Sequence, residues 1–233
     1  MSVKVCAHRG ASGTHPENTA AAYDEAVRLG CEMMEFDVRR TVDGQFIIMH
    51  DPTVDRTTDG TGAVADLTFD AIRALDAGEG QRVPALDEAL AYADRLMLNI
   101  HAYPVTDADI EPMAAAILDG LRNVDHRRWF VACLVADMLT AVTKLDGEAR
   151  LCPLLAQRDV DYINRARAIA GCCVLQPMNA IVTPRFVAEA HEHGLKVNPF
   201  YADDEAEMRR LIACDVDGIL TNQPARLMAV RSS

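Results

Sequence analysis

Short apolar runs of strand length alternate with amphipathic stretches of helix length from one end of the chain to the other, and this alternation constrains the fold most. Eight runs read as strands: Val3–Ala7, Met33–Val38, Met97–Ile100, Phe130–Leu134, Leu151–Leu155, Cys173–Gln176, Leu195–Asn198 and Gly218–Thr221. Between them Thr19–Leu29, Leu86–Ala93, Pro112–Leu121, Asp137–Leu145, Val160–Ala170, Pro184–His193 and Asp204–Ala213 read as helices. Eight strands with intervening helices predict a closed α/β architecture, the (β/α)8 TIM barrel, and 233 residues lie near the ~250 typical of one. The rival architecture is an open doubly wound sheet, but no glycine-rich phosphate loop follows the first strand in the required spacing. A further run, Phe46–Met49, follows Asp43 and Gly44, a pair that favours a two-residue hairpin. Residues 51–84, rich in threonine, aspartate and glycine, then read as a small insertion over the barrel mouth, after the second barrel strand. No low-complexity linker divides the chain, so residues 1–233 are expected to form one domain.

Charge and hydropathy narrow the function. No segment approaches the ~20 consecutive apolar residues of a membrane helix, and Met1 to Ala7 carry no basic leader, so a cytoplasmic protein without stable membrane insertion is expected. The net charge of −12 argues against nucleic acid as a partner, because phosphate backbones require clustered lysine and arginine. It leaves a small anionic substrate open, since a bound divalent cation can reverse the local field. Seven cysteines, an odd number without metal-type spacing, read as buried free thiols in a reducing compartment.

In a barrel of this kind chemistry sits at the C-terminal ends of the strands. The first strand runs into His8, Arg9 and Gly10, followed by Pro16, Glu17, Asn18 and Thr19. Glu35 and Asp37 alternate in the second strand and share one face. Two carboxylates directed into a barrel repel and lose solvation unless a cation lies between them, and oxygen ligands suit magnesium, calcium or manganese. His8 and His50 are candidates for moving protons in opposite directions, although either alone reads equally well as a packed or capping residue. Arg9 can fork onto two phosphate oxygens or pair with Glu17, and the two roles are compatible.

Taken together, His8, Arg9, Gly10, then Pro16, Glu17, Asn18, Thr19, then Glu35, Phe36, Asp37, then His50, Asp51, Pro52 resemble the glycerophosphodiester phosphodiesterase signature in order and spacing. Val216 to Thr221, Asn222 and Pro224 are similar to that family's last-strand segment. The resemblance implies a TIM barrel with an insertion after the second strand, one divalent metal, and hydrolysis of glycerophosphodiesters to an alcohol and glycerol 3-phosphate. It makes His8 and His50 the acid and base, Arg9 a phosphate ligand, Glu17 a substrate-site residue that supports the first loop, and Glu35 and Asp37 metal ligands. The glycerol hydroxyl of the substrate would attack phosphorus first, and water would open the cyclic phosphate.

Four positions depart from the family pattern. His101 stands where a metal-binding glutamate is usual, Tyr103 where a lysine is usual, Phe200 in place of a tryptophan, and Asn222 in place of an aspartate. The changes at 101 and 103 remove one negative and one positive group together. With His101 as third ligand, the magnesium or calcium implied by the resemblance gives way to manganese or zinc as candidates. Tyr103, Phe200 and Tyr201 are candidates to line the substrate pocket. His126, His191 and His193 read as surface residues, and His15, in the first loop, as an outside candidate. Two other functions fit the altered ligand set: a phosphoester-binding protein without efficient hydrolysis, and a phosphodiesterase that stops at the cyclic phosphate. Sequence leaves the head group and the oligomeric state open.

Overall fold

The computed structural model describes residues 2–155 and 161–232. In chain order its elements are β1 (Lys4–His8), α1 (Ala20–Leu29), β2 (Met33–Arg40), β3 (Phe46–Ile48), α2 (Phe69–Arg73), α3 (Leu86–Leu90), β4 (Met97–Ala102), α4 (Asp107–Leu121) and β5 (Trp129–Cys133). There follow α5 (Ala136–Leu145), β6 (Leu151–Pro153), α6 (Tyr162–Arg167), β7 (Val174–Leu175), α7 (Pro184–Glu192), β8 (Lys196–Val197), α8 (Glu205–Ala213), β9 (Gly218–Thr221) and α9 (Pro224–Arg231).

Parallel pairing runs β6-β5-β4-β2-β1-β9, with β7 and β8 as a separate parallel pair. A bridge between Leu151 and Cys172 joins β6 to the β7 segment. On the other side Asp217 N donates to Val197 O at 2.9 Å and Leu220 N to Pro199 O at 3.0 Å, so the eight parallel strands close into the expected barrel. Alternation sets the two cores. Val5, Ala7, Met34, Phe36, Val38, Leu98 and Ile100 face the helices in the main apolar cluster. Smaller clusters inside the ring contain Phe130, Ala132, Cys152 and Val174, and Cys6, Met33 and Leu220. Because successive side chains change face, Glu35 and Asp37 belong to the interior set with Met33.

Local chemistry fixes the helices that hold the ring. Thr19 caps α1 by accepting from Ala22 N, and Gly30, at φ 80°, ends it. Gly10 adopts φ +78°, and a Cβ there would fall 2.7–2.9 Å from Ala22. Only glycine lets the end of β1 pass this close to α1.

Several boundaries differ from the sequence reading. The hairpin between β2 and β3 is closed by Thr41 N donating to Gln45 O, leaving three loop residues, with Gly44 left-handed at φ +83°, rather than two. Helix α4 begins at Asp107, not Pro112, because Thr106 N donates to Asp109 Oδ2 at 2.8 Å and the proline is absorbed within the helix. The expected helix Val160–Ala170 is seen as Tyr162–Arg167, and Val160 lies outside the described residues. Strands β6, β7 and β8 are shorter than expected, and α9, with Pro224 at its start, was not anticipated. The insertion carries α2 and a small apolar core of its own, built on Ile47, Met49, Val54, Val64, Ile72, Ala77 and Val83. All seven cysteines are free, five buried and Cys172 and Cys173 half-buried. Among the described residues no helix is long and apolar enough to cross a membrane.

Candidate active site

Strand register assembles the site. His8 of β1 lies opposite Glu35 of β2, and Asp37 opposite His101 of β4. Glu35 and Asp37 are 0% and 1% exposed and His101 8%, which places two acids and an imidazole in the barrel interior. Each offers one donor atom, and the three atoms lie within 4.8 Å of one another.

The hydrogen bonds around this trio are asymmetric. Glu35 Oε2 accepts from Arg9 N at 2.9 Å and Asp37 Oδ2 from Asn18 Nδ2 at 2.8 Å. Glu35 Oε1 and Asp37 Oδ1 are buried with no hydrogen-bond partner. A buried carboxylate oxygen left bare costs about 1–3 kcal/mol or more, which is the signature of a missing positive partner. Burial first, and then the charge of Asp37, push the Glu35 carboxyl well above the usual carboxylate range.

His101 completes the argument. Its Nε2 lies 3.0 Å from Gln176 Oε1, an atom that also receives the Cys152 thiol. An amide oxygen only accepts, so Nε2 carries the proton and Nδ1 is bare. That bare nitrogen lies 3.4 Å from Glu35 Oε1. Burial holds the His101 pKa down at about 4, so the ring is neutral near pH 7 and the contact with Glu35 is not an ion pair. Two lone pairs facing each other need a proton or a cation between them, and only a cation also serves the bare Asp37 Oδ1. A protonated ring nitrogen held by an outer amide is also the usual arrangement of a metal-binding histidine. Two oxygens and one neutral imidazole nitrogen therefore fit a divalent metal, and the donor mixture suits manganese, iron or zinc better than calcium.

The two other histidines flank this trio. His8 Nδ1 is 2.8 Å from Asn222 Oδ1, and Asn222 Nδ2 donates to Asp203 Oδ2 at 2.7 Å. Asp203 accepts only, so it fixes the Asn222 amide, which in turn leaves His8 Nε2 bare, 3.8 Å from Glu35 Oε2. Burial and then the Arg9 charge lower the His8 pKa. His50 Nδ1 lies 2.8 Å from Asp51 Oδ1, which likewise leaves Nε2 available. Asp51 is held by Arg56, whose hydrogen bonds take its carboxyl well below the usual range.

Arg56 also grips Glu17 through both Nη atoms, and Glu17 Oε1 accepts from Arg9 Nη1 at 2.8 Å. Arg9 Nε lies 3.5 Å from Asp37 Oδ2, so this guanidinium already has two carboxylates. Arg9 and Asn18 both adopt left-handed backbone, φ 55° and 56°, and Asn18 N donates to Arg9 O, a strained turn that aims both side chains at β2.

Every residue expected near the metal is thus brought together. Tyr103 stands between the histidines, with ring centroids 5.8 Å from His50 and 6.5 Å from His101. Phe200 instead packs on the Cys6, Met33 and Leu220 cluster, and Tyr201 is the aromatic that stacks on His8, at 5.0 Å. The His15 ring lies away from the trio, its Nδ1 3.0 Å from Thr14 Oγ1. His126 and His191 are about one third exposed and bonded to Asp146 and Asp217, so they are partnered rather than freely solvated, and His193 is exposed beside Arg167. Sequence reasoning passed over Gln176, Asp203, Arg39 and Arg56. Gln176 ends a predicted strand and Arg39 continues the alternation of Glu35 and Asp37, so both carried a signal; Asp203 and Arg56, on loops, carried none.

Residues 8–226 match the model of the Glycerophosphoryl diester phosphodiesterase family. YhdW of Bacillus subtilis is 47% identical over 239 residues, covering 94% of this chain and 94% of that protein. A Caldanaerobacter subterraneus subsp. tengcongensis protein named glycerophosphodiester phosphodiesterase is 32% identical over 243 residues, covering 98% and 97%. An Oleispira antarctica phosphodiesterase, solved in complex with the product sn-glycerol-3-phosphate, superposes with a TM-score of 0.90 at 25% identity, covering 100% of this chain and 98% of that one. On this match of sequence and barrel, the chain belongs to the glycerophosphoryl diester phosphodiesterase family.

Proposed function

We propose that this family member hydrolyses glycerophosphodiesters to an alcohol and sn-glycerol 3-phosphate at one divalent metal held by Glu35, Asp37 and His101. The observation that carries the reading is the pair of bare buried carboxylate oxygens beside a bare, neutral His101 nitrogen. The glycerol 3-phosphate seen in the Oleispira antarctica relative supports the same product here. A bound divalent ion would supply Lewis-acid stabilisation of charge on the phosphoryl oxygens.

His8, neutral because it is buried and oriented by Asn222, takes a proton on Nε2 from the attacking glycerol hydroxyl. The new O–P bond forms as the bond to the departing alcohol breaks. His50, oriented through Nδ1 by Asp51, gives the alcohol oxygen its proton. In the second half the roles reverse. His50 takes a proton from water attacking the cyclic phosphate, and His8 returns one to the glycerol oxygen. Glu17 fixes Arg9 beside the phosphate, Tyr103 and Tyr201 wall the pocket, and Phe200 supports it from the interior cluster of Cys6, Met33 and Leu220. The main apolar cluster runs from Val3 to Val230, which supports one domain, and the free thiols support a cytoplasmic setting.

The test is release of sn-glycerol 3-phosphate from glycerophosphocholine and glycerophosphoethanolamine. Metal-stripped protein is resupplied separately with magnesium, calcium, manganese and zinc, beside a His101→Glu variant. The expected result is metal-dependent turnover, best with manganese or zinc in the natural protein and shifted toward magnesium or calcium in the variant. Absence of turnover with every metal, or accumulation of the cyclic phosphate alone, would sink the hydrolase reading.

A further inference from the structure

Arg39 follows Glu35 and Asp37 on the inward face of β2, at the strand end nearest the barrel mouth, and is 9% exposed. Its Nε and Nη2 both donate to the carbonyl oxygen of His50. The guanidinium lies over the Tyr103 ring, its carbon 4.9 Å from the centroid. Arginine has five N–H groups and two are used here, which leaves three, including both hydrogens on Nη1.

Its charge also lacks a close partner, although Asp37 and Asp51 act on it from farther away. Among the described residues Arg39 has no ion pair within 4.0 Å, whereas Arg9 has Glu17 at 2.8 Å and Asp37 at 3.5 Å. A largely buried cation without an anion is costly and calls for one. The side used on His50 is the Nε–Nη2 edge, so the Nη1–Nη2 end of the fork is the part left over. That end has the geometry to match two oxygens of a tetrahedral anion. Tyr103 makes this placement workable, because its ring supplies a flat face for the guanidinium and brings it close to both His50 and His101.

We propose that Arg39 is a phosphate-binding residue of this site, its free Nη1–Nη2 edge receiving two non-bridging oxygens of the phosphodiester and of the phosphomonoester product. The inference rests on the hydrolase reading above and deepens it. Arg39 contributes the open positive charge, and Arg9, bound to two acids, contributes orientation of the first loop. Position 103 then controls substrate binding through the cation it supports.

The test uses the manganese-loaded full chain and calorimetric titration with sn-glycerol 3-phosphate and with inorganic phosphate, together with kcat and KM on glycerophosphocholine. Arg39→Gln should weaken both anions by about 10- to 100-fold, the loss of charge-assisted hydrogen bonds, and raise KM by a similar factor. Arg39→Lys, which keeps the charge but loses the fork, should fall between. Adding Tyr103→Lys to Arg39→Gln should restore at least part of the affinity, because an ammonium at 103 reaches the same anion; a merely structural Arg39 would not be rescued this way. Anion affinity in Arg39→Gln within twofold of the natural protein, with kcat alone reduced, would mean that Arg39 only steadies His50 and would overturn the proposal while leaving the hydrolase intact. A natural protein that neither binds these anions nor turns over substrate would remove both.

Discussion

In the metal-free protein His101 is a pH-dependent liability, and the size of the effect follows from its burial. Unfolded, the imidazole has a pKa of about 6.5. Folded, burial holds it at about 4. Between those values the unfolded chain binds the extra proton and the folded chain does not, so stability falls as pH drops through 6.5 and the loss is complete below 4. Integrating the difference gives a penalty of roughly 0.2 kcal/mol at pH 7, about 2 kcal/mol at pH 5 and about 3 kcal/mol at pH 4. His101→Gln removes the titrating group and keeps a polar side chain. Urea denaturation of the chelator-treated natural and variant proteins at pH 7, 6 and 5 reads the effect directly. The natural protein should lose about 2 kcal/mol more than the variant between pH 7 and pH 5, carboxylates titrating in the same window contributing to both proteins. With saturating manganese the natural protein's slope should steepen, since bound metal and proton compete for Nδ1. Parallel pH profiles, or a natural protein that gains on acidification relative to the variant, would refute the reasoning. His101 would then be an imidazolium paired with Glu35 across 3.4 Å, and the cluster would need no cation.

Three further perturbations separate the contributions around the site. Gln176→Leu removes the oxygen that fixes the His101 tautomer, so manganese affinity should fall about 10- to 100-fold; metal-free stability should fall by no more than about 1–3 kcal/mol, the stranded His101 Nε2 proton being partly offset by loss of an amide nitrogen that is buried without a partner, and an unchanged titration would show that Gln176 does not orient the ring. Arg56→Met should cost less than about 1 kcal/mol, because the side chain is 48% exposed, yet lower kcat about tenfold by releasing Asp51 and Glu17; equal kcat would mean Asp51 is held without it. Gly10→Ala should destabilise by at least about 2 kcal/mol in urea unfolding, since the backbone is at φ +78° and the new carbon meets Ala22 at 2.7–2.9 Å; a smaller loss would show that α1 can move away.

Period and strand order made most of this architecture readable before any coordinates. Alternation within β2 placed Glu35 and Asp37 on one face, and eight strand-like runs with helices between them implied the ring that gathers them with His8 and His101. Boundaries were less legible because competing local signals have similar strength. Pro112 reads as a helix start, but the Thr106 and Asp109 cap five residues earlier outweighs it. Asp43 and Gly44 suit hairpins of two or three loop residues, and only the bond from Thr41 to Gln45 decides between them. Gln176 acquires its role from a residue 75 positions away, a relation that no local pattern contains.

The same limit applies to charge. On sequence alone, replacing an acid and a base by His101 and Tyr103 leaves a sum unchanged. In the barrel those two positions do different jobs. His101 presents a neutral nitrogen beside two bare carboxylate oxygens, a donor set that fits a cation with one negative charge fewer. Tyr103 presents a ring to Arg39, a cation two residues beyond Asp37 that the paired sum leaves out. Counting Arg39, the interior gains an unpaired positive group on the side where an anionic substrate must enter. A site with a weaker anionic ligand set then has compensation at the substrate rather than at the metal. Measuring manganese affinity and sn-glycerol 3-phosphate affinity in the same His101→Glu protein tests that division: the first should rise severalfold and the second should not follow it, because Arg39 is untouched. If both move together, the metal rather than Arg39 carries the phosphate.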